Sequence, residues 1–461
     1  MQQMRCDPAV ALLVSSFVSA LAAASVAAPP NDTVAGAGGG LDDAIEVIAP
    51  AAAGGIPAEL PGQTRGAVDT ARPAPVDPSQ REWFGGRPIW EWSRLTGDWA
   101  GARTSLEERG VTVEGSFTIE WADAISDAFS RKWVSRNIFD LNVTLETEPL
   151  FGLKGGTFYL DVASSDSTNG GSFVPVTQWS STIEIQGSTF QIANAWYQQE
   201  LFDGVLRGKV GKIDPTTEFG YLNATAGYLN LASLMPTTWQ TVPTYPYGSL
   251  GGLIFVNPCE HFYVGGGVFN ATFVRDQFLQ DDLFDDGVWA VGEMGFTCKE
   301  LGPVRDLRIA GGGWYDSRDF ERFDGSGTES TYGLYGMAEA RLFAPTDGGV
   351  DDTRGVWLFG QVNYADPSTV ITRVQFGSGA ALHGTFPGRD SDKMGIYVGN
   401  VQYSGAPSLG LDDSETVVEL FYAMQVTPAI TFTPDIQFFT NAGGDDAEDP
   451  IVFTMRLGIA F

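Results

Sequence analysis

The side chains of this chain that could do chemistry are polar and charged groups at every second position of otherwise apolar runs. In 136–147, Arg136, Asp140, Asn142, Thr144 and Glu146 alternate with Phe139, Leu141, Val143 and Leu145. Arg207 and Lys209 alternate with Leu206 and Val210. Thr431, Thr433, Asp435 and Gln437 alternate with Ile430, Phe432, Ile436 and Phe438. The same parity picks out Glu339, Arg341, Glu419, Gln425 and Arg456. A strand has period two, so such runs separate an apolar face from a polar one. If the apolar face meets lipid, the polar face lines a wet interior, because a charge facing mid-bilayer lipid costs about 2–4 kcal/mol. The chemistry expected there is exchange of hydration for weak, multiple hydrogen bonds to a passing solute, with opposed Arg/Lys and Asp/Glu setting up a transverse field. Nothing in the pattern asks for a nucleophile, a cofactor or a metal.

The closing residues, 451–461, sharpen this reading. Ile451, Phe453, Met455, Leu457, Ile459 and Phe461 share one face. Val452, Thr454, Arg456, Gly458 and Ala460 share the other. An alternating terminal strand that ends on Phe is the form of the last strand of a bacterial outer-membrane barrel.

Sixteen strands are expected, at 112–121, 136–147, 155–163, 190–201, 204–213, 247–257, 260–270, 288–298, 306–316, 331–343, 355–365, 376–385, 392–402, 414–426, 429–440 and 450–461. Phe202 to Gly204, Asn257-Pro258 and Thr427-Pro428 read as tight turns. Longer connections, 164–189, 214–246, 271–287 and 317–330, fall between them. Short turns at one end and long loops at the other suit an all-β transmembrane antiparallel barrel. The loop 214–246 is long enough to fold inward and narrow the lumen, bringing in Asn223, Trp239 and Tyr245. The two aromatics fit an interfacial girdle equally well. Trp196 lies on a strand without a clean polar face.

Ahead of the barrel, 112–461, the chain divides into three parts. Residues 1–28 read as a signal peptide, with Arg5, an apolar stretch from Ala9 to Ala24 and small residues at Ser25 to Ala28. Residues 29–80, rich in Ala, Pro and Gly, read as a disordered periplasmic leader that buries too little surface to offset ordering entropy. Residues 81–111 hold an aromatic cluster and a short helix, capped by Asp98 and ended by Gly110, with Trp99, Ala102 and Leu106 facing inward.

Of the 461 residues, 43% are hydrophobic, 12% aromatic and 18% charged, and 57 are Gly, a mixture suited to many short strands and turns. No later stretch supplies the roughly 20 apolar residues of a spanning helix. A net charge of −30 argues against nucleic-acid binding. Acidic runs at Asp281 to Asp286 and Asp445 to Asp449 read as solvated loops, bridging by divalent cations to lipid headgroups being the sharper alternative. Cys259 and Cys298 are expected to form a disulfide across one hairpin, with free thiols the other outcome. His261 and His383 are the only histidines, and neither has a Ser and an acid placed to make a hydrolase on the barrel.

The chain resembles the carbohydrate-selective porins, the OprB family. Leu95-Thr-Gly-Asp-Trp-Ala-Gly-Ala-Arg103 is similar to that family's entry motif, although Ala100 stands where the family usually has Gly. Ala195 to Gly204, then Arg207 to Asp214, resemble its central strand pair and following Asp. Tyr245 to Gly252, Trp314-Tyr315 and Thr427 to Gln437 fit as well. Nothing in the family pattern matches Thr216 to Thr244. The resemblance covers about 95–461 and implies a sixteen-stranded outer-membrane barrel that passes mono- or oligosaccharides passively. Its partners would be small sugars, outer-membrane lipid and lipopolysaccharide, and the barrel-assembly machinery reading Phe461, and a homo-oligomer is compatible with it. A general diffusion porin with cation preference and a soluble lectin-like β protein are the competing expectations.

Overall fold

The computed structural model describes residues 81–461 except 126–132, 169–173, 185–187, 273–282, 346–351 and 446–448. The expected signal peptide and leader lie outside the described residues, as do Asp281, Asp282, Asp446 and Glu448 of the acidic runs.

Each alternating run becomes a strand. In order they are β1 (Val111–Ile125), β2 (Val134–Glu146), β3 (Gly156–Ser167), β4 (Thr189–Leu201), β5 (Leu206–Ile213), β6 (Ser249–Cys259), β7 (Phe262–Asn270) and β8 (Val288–Leu301). They continue as β9 (Val304–Glu321), β10 (Thr328–Leu342), β11 (Gly355–Ala365), β12 (Thr372–His383), β13 (Lys393–Tyr403), β14 (Ser414–Thr427), β15 (Ile430–Thr440) and β16 (Ile451–Ala460). Every strand pairs antiparallel with its sequence neighbours, and β1 pairs with β16, so the sheet closes on itself. The seam runs from Ser116 opposite Ala460 to Ile125 opposite Ile451. Phe461 extends it: its N–H donates to the Gly115 carbonyl at 2.8 Å, and the Gly115 N–H returns a 3.4 Å bond. Closure leaves no sheet edge in lipid, where an unpaired backbone group is costly.

Parity separates the two faces. Phe139 and Leu141 of β2 are exposed on the outside, whereas Arg136 and Asp140 are buried inside. Leu334, Val362, Phe376, Ile396 and Leu420 belong to the same exposed apolar band. A soluble protein would hide these side chains, and a bilayer solvates them.

Several expected details are corrected. The loop at 317–330 is mostly strand, with Glu321 pairing with Thr328. On the end that carries the seam terminus, the connections 343–354 and 384–392 are longer than tight turns. The helix is shorter than expected, Ala102–Glu107, and Gly101 rather than Asp98 precedes it; Asp98 makes no side-chain cap. Its buried residue is Arg103, whose guanidinium lies 4.2 Å from the Trp99 ring and donates to the Gly97 carbonyl at 2.7 Å. Ala102 is exposed. Gly110, at φ +83°, ends the segment as expected.

Cys259 and Cys298 are both free. Asn257-Pro258 is not a turn: β6 runs through Pro258 with a register shift between Val256 and Cys259, and Cys259 pairs with Phe262. Cys298 lies on β8, beyond β7. The β8 partner of Phe262 is Phe296, so Cys298 lies two residues past that row and the two cysteines are not a facing pair on adjacent strands.

Candidate permeation site in the lumen

Two connections fold into the barrel rather than away from it. The long one, 214–248, enters after β5 and is buried along most of its length, including Phe219, Leu222, Tyr228, Leu231, Trp239, Tyr245 and Tyr247. The second, between β3 and β4, buries Val174, Val176 and the run Gln178 to Glu184, Trp179 excepted. Short turns of chain in a polar lumen leave many backbone groups to satisfy. The wall supplies their partners.

Glu218 receives Arg207 at 2.8 Å and also Lys209. Glu293 accepts from the Gly220 N–H at 2.9 Å, from the Tyr263 and Tyr335 hydroxyls, and from Arg308. Glu339 accepts from Asn223 Nδ2 at 2.6 Å and the Ala224 N–H at 2.9 Å. Glu419 takes the N–H groups of Leu229 and Asn230. Gln361, Gln375 and Tyr397 converge on the Ala232 carbonyl. The Tyr245 hydroxyl donates to Asp140, and Gln191 donates to the Pro246 carbonyl. In the second loop, Glu415 accepts from the N–H groups of Thr177 and Gln178, and Glu120 accepts from Ser181, Arg136 and Arg456. Arg456 also donates to Thr182 Oγ1 at 2.6 Å.

These anchors are electrostatically strong because they are dry. Burial alone would push the Glu218 carboxyl up, but Arg207 and Lys209 outweigh it and hold it down to about 2. The Lys209 ammonium also sits 3.7 Å from the Trp196 ring centroid, and Arg207 lies 4.7 Å from that of Phe255.

With this geometry the known relatives can be compared. The sequence model of the carbohydrate-selective porin family, OprB, matches residues 135–461. This chain belongs to the OprB family. Porin B of Pseudomonas aeruginosa is 21% identical over 421 residues, spanning 80% of this chain and 91% of that protein. The high-pH structure of Pseudomonas putida OprB superposes with a TM-score of 0.73 at 19% identity, covering 80% of this chain and 99% of that one. The low-pH structure of the same protein gives 0.54 at 20% identity with the same coverage. The protein is a porin of the bacterial outer membrane.

Within this OprB-family barrel, the residues expected from parity are placed as follows. Asp140, Asn142, Arg207, Lys209, Glu339, Arg341, Glu419, Asp435, Gln437 and Arg456 share the luminal face. Most of them hold loops or each other rather than standing free. Asp435 accepts from Gln437 at 2.9 Å, and Arg341 meets Asp306 at 2.7 Å. Glu146 is half-buried where β2 ends. Gln425 does not reach across the lumen: it braces the β14–β15 turn through the carbonyls of Thr427 and Pro428. Trp239 belongs to neither a free stacking surface nor the lipid interface. It is 1% exposed, packed 5.1 Å from Tyr335 and 5.5 Å from Trp289. Trp196, ambiguous in sequence, is half-buried on the luminal face and stacked 4.9 Å from Tyr159.

Sequence reasoning missed Glu120, Glu218, Glu293, Arg308 and Glu415, and it missed the inward course of 174–184. Glu293, Arg308 and Glu415 carry the same alternation signal as the residues that were found. Glu218 and 174–184 lie outside any strand, where period-two reasoning has nothing to act on.

Proposed function

We propose that this porin passes neutral mono- or oligosaccharides preferentially over other solutes of equal size. One observation carries the reading: Arg136, Arg456, Arg207, Lys209 and Arg308 are each ion-paired to a buried carboxylate, so they meet a solute as held hydrogen-bond donors rather than as free charges. A hydroxyl-rich neutral solute can exchange its hydration for such contacts, while an ion gains little. Half-buried Arg207, Asn223, Glu146, Tyr159 and Trp196 are the groups placed to touch it. Tyr159, backed by Trp196, would stack on the apolar face of a sugar ring, and the remaining expected residues act through the loops they hold. Lipid solvates the outer band, and recognition of Phe461 by the assembly machinery belongs to the same proposal.

Liposome swelling with purified protein tests it. Sugars should enter faster than zwitterions of matched size, with rates that saturate. Rates that follow size alone would make this a general diffusion pore, and a bias toward cations would do the same.

A further inference from the structure

Most luminal cations of this barrel have an acid. Arg136 and Arg456 share Glu120, Arg207 and Lys209 share Glu218, Arg308 has Glu293, Arg318 has Asp316 and Arg341 has Asp306. Lys393 departs from the rule. It opens β13 on the luminal face, directly opposite His383 on one side and Ala423 on the other. Its neighbours Met394 and Ile396 point outward and are exposed, whereas Lys393 is half-buried. Among the described residues it makes no ion pair. The adjacent carboxylate, Asp392, is committed elsewhere: it accepts from Arg389 at 2.7 Å, from the Gln425 N–H at 2.9 Å and from the Tyr422 hydroxyl.

The residue facing Lys393 is also incomplete. His383 is 4% exposed, and its ring nitrogens make no well-aligned hydrogen bond among the described residues, the Thr353 backbone being the polar group beside them. Its ring lies 5.9 Å from Trp357, and the Arg341 guanidinium lies 5.7 Å from the Trp357 ring on the far side of the row. Arg341 Nε is likewise unpartnered. Ala381, Gly395 and Ala423 beside this row are small. The Tyr228 hydroxyl of the long loop reaches the Ile396 and Ala380 carbonyls, just above Lys393. The row Arg341, Trp357, His383 and Lys393 therefore lies on the periplasmic side of the inward loop. A half-desolvated ammonium without a counter-ion and a buried imidazole with only the Thr353 backbone beside it are each unfavourable. One anion would satisfy both.

We propose that Lys393 and His383, with Arg341 beside them, form an anion subsite at the periplasmic end of the lumen for the carboxylate of a sugar acid. The proposal rests on reading the lumen as a sugar path. Lys393 supplies the charge, and His383, as neutral imidazole, supplies an N–H donor. One unpaired cation matches the single charge of a carboxylate. A phosphate monoester carries close to two charges at neutral pH and would leave one uncompensated.

The test is block of the ionic current through the full-length porin in a planar bilayer. Glucuronate, glucose, glucose 6-phosphate and acetate are titrated from each side at pH 7 against wild type, Lys393→Gln, Lys393→Arg and His383→Gln. In wild type, glucuronate should half-block at roughly tenfold lower concentration than glucose, more effectively from the periplasmic side. Lys393→Gln should abolish that difference, His383→Gln should reduce it, and Lys393→Arg should keep it, with glucose unchanged throughout. Heat-modifiable gel mobility identifies folded variants. Equal block by glucuronate and glucose in wild type overturns the subsite and leaves the sugar path standing. Acetate as effective as glucuronate, or glucose 6-phosphate more effective, overturns the assignment to a sugar carboxylate. Failure of glucose to block any form overturns the sugar path and the subsite together.

Discussion

Asn230 and Gln437 stand 207 positions apart, and their side-chain amides meet inside the barrel, Asn230 Nδ2 donating to Gln437 Oε1 at 2.9 Å. The other end of the same glutamine, Nε2, donates to the Ser180 carbonyl at 2.8 Å. One wall side chain thus joins both inward loops, and Gln437 is fully buried in doing so.

Gln437→Leu removes both bonds and the one to Asp435, leaving the Asn230 amide, the Ser180 carbonyl and the Asp435 carboxylate without this partner, at about 1–3 kcal/mol for each group left unsatisfied. The barrel should still form, because its seam and lipid face are untouched. Single-channel recordings should show larger conductance and more open-channel noise than wild type, and disaccharides should enter liposomes at rates closer to those of monosaccharides. Unchanged conductance would mean the loops hold without this glutamine.

Glu218→Gln removes the charge that Arg207 and Lys209 share, leaving two dry cations with a neutral amide. Because the Glu218 carboxyl is held down to about 2 against an ordinary value near 4.5, its ionisation stabilises the fold by on the order of 3 kcal/mol. That contribution is complete above about pH 5 and is lost as the pH falls toward 2. The difference in unfolding transition between wild type and variant should follow the same course. At neutral pH, reversal potentials in a salt gradient should shift toward anion preference in the variant.

Thiol labelling checks the cysteines. Folded protein lacking residues 1–28, and so Cys6, treated with a small maleimide should gain two adducts in mass, one at Cys259 and one at Cys298, with or without prior reduction. The double substitution Cys259→Ser, Cys298→Ser should leave the heat-modifiable transition within about 0.5 kcal/mol of wild type, as for a surface change.

Ala100 sits at φ +58°, a left-handed conformation that costs a residue with a β-carbon roughly 1–2 kcal/mol. Gly adopts it freely. Allowing for the extra entropy that Gly loses on folding, Ala100→Gly should raise stability by about 0.5–1 kcal/mol. A higher temperature for loss of the folded gel band would register it.

The wall was legible because lipid enforces a rule at every second residue. Phe139 and Leu141 could face nothing but an apolar medium, so Arg136, Asp140 and Asn142 had to face inward. The same rule says which face a residue occupies and is silent on what it meets. Arg207 and Lys209 read as free luminal charges, yet their partner Glu218 lies in a loop with no periodicity. Trp239 carries no mark that distinguishes a sugar platform from the packing it makes with Trp289 and Tyr335. The cysteine error came from one misplaced boundary: Pro258 suggested a turn, but a register shift lets β6 continue through it, so Cys259 closes β6 instead of opening the hairpin with β8.

The chain that enters this barrel comes from two inserted connections, while the lipid-facing side chains belong to the sixteen strands. Membrane compatibility and solute preference are therefore written in different stretches of sequence and can be inherited separately. Lineages could exchange 174–184 or 214–248, together with the few wall carboxylates and amides that grip them, and acquire a new diet without renegotiating their place in the bilayer.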